Sequence, residues 1–328
     1  VIVEASAPAN IALIKYMGKL DSSSNKPTNS SLSWTLDELR TYVKITLVED
    51  QSSDTWQPLQ GATFEKMDLS EEAKQRYLKH FAFLKSEWGM KKNFVIESAN
   101  NFPSDCGLAS SASSFAALTK AAVEMFQELA PREDIGIAES AELSRKGSGS
   151  SCRSFFGPWA LWYADGVRPL EFALSNLSHQ VIVVEDKKKE VSSSEAHLRV
   201  VTSPLFNGRV ARAEQRLAEL LHALKQEDWN AIHQICLDEF LDMHALFESS
   251  SQPFHYIQSS TKQVLKYAED LWKENSDGPV VTMDAGANVH FLWRADQLKM
   301  AKKTEQDLAP QFRLFSSRKI SEGTQDAR

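Results

Sequence analysis

One stretch restricts the possible folds more than any other, the run from Asn93 to Ala122. Asn93-Phe94-Val95-Ile96-Glu97-Ser98 is predicted as a strand, and Phe115 to Ala122 is predicted as a buried helix. Between them lies Asn101-Phe102-Pro103-Ser104-Asp105-Cys106-Gly107-Leu108-Ala109-Ser110-Ser111-Ala112-Ser113-Ser114, nearly all small side chains. Small side chains let an oxygen-rich ligand approach the backbone, and the unpaired N–H groups of a helix start point at such a ligand. No Lys follows the last Gly and no GxGxxG spacing occurs, so the run differs from the familiar phosphate loops. A small-residue helix packed closely on a sheet is the alternative reading.

Length and charge narrow the setting. With 328 residues there is room for two lobes with ordinary cores, and the composition changes near residue 187, giving expected lobes of 1–187 and 188–328. No apolar run approaches the roughly 20 residues that span a bilayer. The start, Val1-Ile2-Val3-Glu4-Ala5-Ser6, alternates like a strand and lacks the basic and apolar blocks of a signal peptide, so the expectation is a cytoplasmic protein with no membrane partner. Cys106, Cys152 and Cys236 are too few and too widely spaced for a disulfide framework or a paired-cysteine zinc site. A formal charge of −7 argues against non-specific nucleic-acid binding, while a polyanionic small molecule remains compatible wherever basic residues converge.

Along the chain, Lys15 sits in the apolar run Ile11-Ala12-Leu13-Ile14-Lys15-Tyr16-Met17-Gly18-Lys19. Such a lysine either snorkels to solvent or is buried beside an anion, and both readings stand here. Leu32–Leu36 and Tyr42–Val48 read as two strands, and Ser70 opens a helix to about Trp88 whose Lys74 and Arg76 read as surface charges. Pro131 to Asp134 reads as the cap of a helix reaching Arg145. Next comes Ser148-Gly149-Ser150-Ser151-Cys152-Arg153, expected as a ligand loop with hydroxyl and N–H donors and a guanidinium fork suited to carboxylate or phosphate. Ser192 to Ser194 offers hydroxyls at another helix start. Helices are predicted over about 205–224, 228–247 and 261–274, and His233 with Cys236 lacks the second pair a metal site needs. Asp284 follows the strand Val280-Val281-Thr282-Met283 and precedes Ala285-Gly286, so it is either a turn cap or a carboxylate on a short rigid path. The end from Ser316 is expected to fray.

The Lys15/Lys19 segment, the Pro103–Ser114 loop and Asp284-Ala285-Gly286 together resemble the GHMP kinase superfamily. Within it, the strings APANIALIKYMGK, KPTNSSLSWTL, NNFPSDCGLASSAS, RKGSGSSCRSFFG, KKEVSSSEAH and MDAGAN are similar to those of the diphosphomevalonate decarboxylases. The resemblance implies an α+β, two-lobed GHMP kinase fold, with an N-terminal ribosomal-protein-like α/β lobe and a C-terminal ferredoxin-like lobe. It implies a small-molecule substrate, mevalonate 5-diphosphate, decarboxylated with ATP and Mg2+ after phosphorylation of its tertiary hydroxyl, and a homodimer. Enzymes of this fold that act on the monophosphate, or that only phosphorylate, are the neighbouring alternatives, and a non-catalytic binding protein of the same fold is the remaining one.

The same resemblance assigns residues. Asp284 would take the hydroxyl proton or orient the hydroxyl, and Lys15 would pair with it. Tyr16, Met17, Gly18, Lys19, Lys74, Ser148, Gly149, Ser150, Ser151, Cys152, Arg153 and Ser194 would contact substrate. Pro103, Gly107, Leu108, Ala109, Ser110 and Ser111 would bind ATP phosphates, with Ser111 also on magnesium. Met17 stands where these enzymes commonly have Trp, Leu20 where a basic residue is frequent, and Ala287 where Pro is usual.

Overall fold

The structure, a computed structural model, describes residues 1–21, 24–65, 69–103, 110–132, 135–163, 165–185 and 190–321. It divides into two compact units. One comprises Val1–Ile11, Leu20–Pro27 and Ser33–Leu170; the other comprises Ala12–Lys19, Thr28–Leu32 and Glu171–Arg328. A single cut at residue 187 therefore does not describe the chain. Residues 178–183 form the middle of the second unit's sheet, and two short pieces from the beginning of the chain join that unit as well.

The first unit carries β1 (Ile2–Ile14, which runs on into the second unit), β2 (Lys19–Asp21), β3 (Lys26–Pro27), β4 (Ser31–Val48), β5 (Thr55–Pro58), α1 (Glu71–Trp88), β6 (Asn93–Asn100), α2 (Ser110–Leu129), α3 (Ile137–Gly147), β7 (Trp159–Tyr163) and β8 (Gly166–Leu170). Its main sheet runs β5-β6-β4-β7-β8, with β1 also on β4. β4 is one continuous strand where the sequence suggested two. Its first six residues are all buried, whereas its second half alternates, and Asp37 to Arg40 between them is the polar stretch that looked like a break. Asn101 bridges that stretch: its Oδ1 accepts from the Arg40 N–H at 2.8 Å and its own N–H donates to the Arg40 carbonyl at 3.1 Å.

Ser70 caps α1 as expected, its hydroxyl accepting from the Ala73 N–H at 3.3 Å. α2 buries most of the stretch from Ala112 to Ala122 together with Met125 and Phe126 in the core, where Phe81, Phe94 and Phe126 meet with centroids 5.6–5.7 Å apart. α3 begins at Ile137, later than Pro131 and Arg132 suggested; Glu133 and Asp134 lie outside the described residues.

The second unit adds β9 (Ser178–Val183), α4 (Ser193–Arg199), α5 (Arg209–Gln226), α6 (Trp229–Glu248), α7 (Ser259–Asn275), β10 (Val280–Thr282), β11 (Val289–Trp293), α8 (Leu298–Leu308), β12 (Arg313–Ser316) and α9 (Arg318–Ser321). Its antiparallel sheet is ordered β10-β11-β9-β12. Ile182, Val281, Phe291 and Trp293 pack with Phe240, Val264 and Ala268 in its core. Within the tail expected to fray, residues 316–321 are ordered, with Ser316 closing β12 on β9 and Ile320 of α9 buried, whereas residues 322–328 lie outside the described residues. Among the described residues no helix is long and apolar enough to cross a membrane.

Candidate active site

In the second unit the central feature is an ion pair. β1 ends at Ile14, whose carbonyl accepts from Ser31 Oγ at 2.7 Å, and β10 lies alongside, with Thr282 Oγ1 donating to the Ala12 carbonyl at 3.3 Å. This brings Lys15 against the turn that follows β10. Lys15 Nζ is 2.8 Å from Asp284 Oδ1; the lysine is 1 % exposed, while the carboxylate is 30 % exposed. The buried reading of Lys15 is therefore correct. Burial pulls its pKa below the ordinary lysine value, and Asp284 opposes that pull. The Asp284 carbonyl accepts from the Gly286 N–H at 2.8 Å and from His244 Nε2 at 3.1 Å, so the turn holding the carboxylate is pinned from two sides.

Behind Lys15 lies a buried network that sequence reading did not reveal. The Lys15 N–H donates to Glu239 Oε1 at 2.9 Å. The Lys15 carbonyl accepts from Asn29 Nδ2 at 2.9 Å and from an Arg209 guanidinium N–H at 3.3 Å. Arg209 and Glu239, both fully buried, pair with each other; Asp242 is 2.7 Å from Arg209, and Arg216 is 3.0 Å from Glu239. Burial lowers the Arg209 pKa, but the two carboxylates outweigh it and hold it above the usual value. Burial likewise raises the Asp242 pKa, and the surrounding arginines outweigh that and lower it. The available signal was spacing. Arg209, Arg212 and Arg216 share one face of α5, and Glu239 and Asp242 are an acid pair one turn apart on α6.

Beyond Lys15 the chain turns back at Gly18, whose φ of 97° is left-handed and whose added Cβ would meet the Phe206 ring at 2.8 Å. The Gly18 N–H donates to His197 Nδ1 at 3.0 Å, which requires a neutral imidazole. Burial, with Lys19 adding to it, pushes the His197 pKa down to about 3. The Tyr16 ring is 4.4 Å from that imidazole. Met17 is a core side chain, packed with Met243, Phe247 and Tyr256. Ser194 is exposed at the start of α4, the helix that carries His197.

In the first unit the serine-rich run is a 3-10 turn, Gly149–Phe155, most of it buried. Ser144 Oγ donates to Ser151 Oγ at 2.6 Å, and Ser151 Oγ donates to the Ser148 carbonyl at 2.7 Å. Arg153 is buried with its Nε donating to Asn10 Oδ1 at 3.1 Å, and Asn10 Nδ2 donates to Ser154 Oγ at 2.8 Å. Asn10 is thus a further polar residue of this cluster that sequence reading passed over. Cys152 is buried with Sγ 3.3 Å from the Gly149 carbonyl, and burial pushes its thiol up to about 12. Gly149 is buried and Ser150 half-buried. Of the two cations on α1, Arg76 reaches this turn, donating to the Gly147 carbonyl at 3.0 Å, whereas Lys74 pairs with Glu71 at 2.7 Å.

Gly107, Leu108 and Ala109 lie outside the described residues; Pro103 is half-buried after β6, and Ser110 and Ser111 open α2. No acidic residue occupies the first turn of α2, and Ser111 is exposed, its Oγ 3.5 Å from Ser148 Oγ. Those features suit a polyphosphate bearing magnesium, a hard cation that takes oxygen ligands and needs few from protein when phosphates supply the rest. Among the described residues no group of three or more His, Cys, Asp or Glu side chains forms an all-protein metal cage.

The chain matches known proteins along most of its length. Residues 7–168 match the model of the diphosphomevalonate decarboxylase-like N-terminal domain, and residues 180–321 match that of the mevalonate 5-diphosphate decarboxylase C-terminal domain. A diphosphomevalonate decarboxylase of Debaryomyces hansenii is 32 % identical over 320 residues, covering 89 % of this chain and 79 % of its own. The crystal structure of a mevalonate diphosphate decarboxylase from Legionella pneumophila superposes with a TM-score of 0.90 at 48 % identity, covering 96 % of this chain and 100 % of the other. The complex of MDDEF with MVAPP, AMPPCP and magnesium superposes with a TM-score of 0.85 at 28 % identity, covering 96 % of each chain.

Proposed function

The chain belongs to the diphosphomevalonate decarboxylase family, with the GHMP kinase fold, and we propose that it decarboxylates mevalonate 5-diphosphate in an ATP-dependent reaction. The observation that carries the reading is the buried Lys15 ammonium held 2.8 Å from a carboxylate that keeps one side open to solvent. An acceptor that can take or orient a hydroxyl proton, beside a fixed cation, is what attack of a tertiary hydroxyl on a terminal phosphoryl group requires.

In this reading the hydroxyl oxygen of the substrate forms a bond to the γ-phosphorus of ATP as the bond to ADP breaks, and the hydroxyl proton leaves towards Asp284. The bond between the tertiary carbon and that oxygen then breaks, with phosphate taking its electron pair. The carboxylate C–C electrons form the double bond of isopentenyl diphosphate, and carbon dioxide departs. Ser110 and Ser111 are the residues offered to the ATP phosphates, with Pro103 and residues 107–109 preceding them. Magnesium, when bound there, neutralises phosphate charge. Tyr16, Gly18, Lys19, Ser148 to Arg153 and Ser194 are offered to the substrate, with Met17 supporting that segment from the core. Lys74 is offered too, although Arg76 has the geometry that supports contact with the serine-rich turn. Membership of the family supports a cytoplasmic homodimer acting in isoprenoid synthesis.

The test is an assay with mevalonate, its 5-phosphate and its 5-diphosphate that scores ADP and carbon dioxide separately. Both products are expected in equal amounts from the diphosphate. ADP without carbon dioxide would reduce the activity to that of a kinase, and turnover of the monophosphate alone would change the substrate. Sedimentation velocity tests the dimer.

A further inference from the structure

Lys15 lies just past the end of β1, so its peptide groups are outside the strand that precedes them. Side chains hold them instead. Glu239 takes the N–H, and Arg209 and Asn29 donate to the carbonyl. Glu239 uses its other oxygen on Arg209 at 2.9 Å and on Arg216 at 3.0 Å. Its fully buried carboxylate therefore spans from the backbone of the lysine to two guanidinium groups, one of them, Arg209, also fully buried. Burying so many charges is costly, and an apolar contact of similar volume would stabilise a fold equally well. The arrangement has one geometric product: the direction in which Lys15 leaves the backbone.

We propose that Glu239, braced by Arg209, is a positioning residue for the reaction, fixing the Lys15 backbone so that its ammonium meets the Asp284 carboxylate. This rests on the assignment of Lys15 and Asp284 to the reacting hydroxyl. Glu239 touches no substrate; it acts through the lysine. A displacement of about 1 Å in such a group is enough to lower turnover by roughly a hundredfold.

Two substitutions separate positioning from support of the fold. Glu239→Asp keeps the charge that balances Arg209 and Arg216 but shortens the arm that reaches the Lys15 N–H. Glu239→Gln keeps the arm and an acceptor oxygen but leaves the buried guanidinium groups short of a counter-charge. The expected orders are opposite. By thermal unfolding the Gln variant is the less stable, whereas by kcat per folded molecule the Asp variant is the slower, by roughly ten- to a hundredfold with the KM values little changed. Activity that follows stability in both variants, or a folded Asp variant with wild-type kcat, overturns the proposal. If the Gln variant does not fold, the Asp variant alone decides, since a folded protein either loses kcat or retains it. Asp284→Asn is measured alongside: full activity there removes the underlying assignment, whereas an inactive Asp284→Asn with an unimpaired Glu239→Asp removes the positioning role only.

Discussion

The two units build their polar sites by opposite means. Around Lys15 the second unit uses full charges, with the fully buried Arg209 and Glu239 paired to each other and closed in by Asp242, Arg212 and Arg216. Around Ser148 the first unit relies mainly on neutral groups: Ser144 donates to Ser151, Ser151 donates to a carbonyl, and the buried Arg153 donates to the amide of Asn10. A closed ion-pair set tolerates no loss of a member, because the partner left behind is a buried charge. A hydroxyl chain loses one neutral bond at a time. The first suits a pair that must not move during a reaction, and the second suits a surface that receives a ligand with its own charges.

The largest expected effect tests the charged side directly. Asp284→Ala should lower the rate of both ADP and carbon dioxide release by about a thousandfold or more while ATP-analogue binding stays near normal; retention of half the wild-type rate would remove the residue from the chemistry. Next, Arg209→Met should destabilise the protein by about 3–5 kcal/mol, read as a lower urea midpoint, since it leaves the fully buried Glu239 with Arg216 as its remaining ion-pair partner. A loss as small as that of a serine would erase the contrast between the units.

A third test uses pH. Nδ1 of His197 accepts the Gly18 N–H, and its pKa falls to about 3 from an ordinary value of 6.5, so the unfolded chain binds the proton more readily than the folded one between those values. Stability from this group is present above pH 6.5 and is lost as pH falls towards 3, with a slope of about 1.4 kcal/mol per pH unit. His80 in the first unit, also pushed down to about 3 by burial, adds a loss of the same sign. His197→Asn keeps an acceptor that does not titrate, and the fall in melting temperature between pH 6.5 and 4 should become shallower. An unchanged slope would show that the imidazole does not titrate on unfolding. The smallest effect belongs to Ser144→Ala, which removes a neutral bond and should cost about 1 kcal/mol.

These contrasts were unevenly legible in the sequence. Ser70 before two glutamates marked the start of α1, and the apolar spacing of α5, α6 and α7 placed those helices closely, because each signal is local. Lys15 and Asp284 were visible as exceptions, a lysine in an apolar run and an aspartate closing a strand. Glu239 and Arg209 were not, because on a helix a charged residue is usually solvated, and only tertiary packing showed these two to be buried. β4 was divided in the reading because Asp37 to Arg40 looks like a turn; its backbone partner, Asn101, lies 61 positions from Arg40. Arg153 stands out in the sequence as a guanidinium suited to a ligand, whereas the Asn10 amide to which its Nε donates lies 143 residues away.

Lys15 and Asp284 are 269 positions apart in the chain. The lysine leaves the ribosome early and has no Asp284 to meet until most of the protein has been made, although Asn29 can take its carbonyl long before. A product released by stalling before residue 284 carries half of the pair. Distance along the chain thereby ties assembly of the pair to synthesis of nearly the whole second unit.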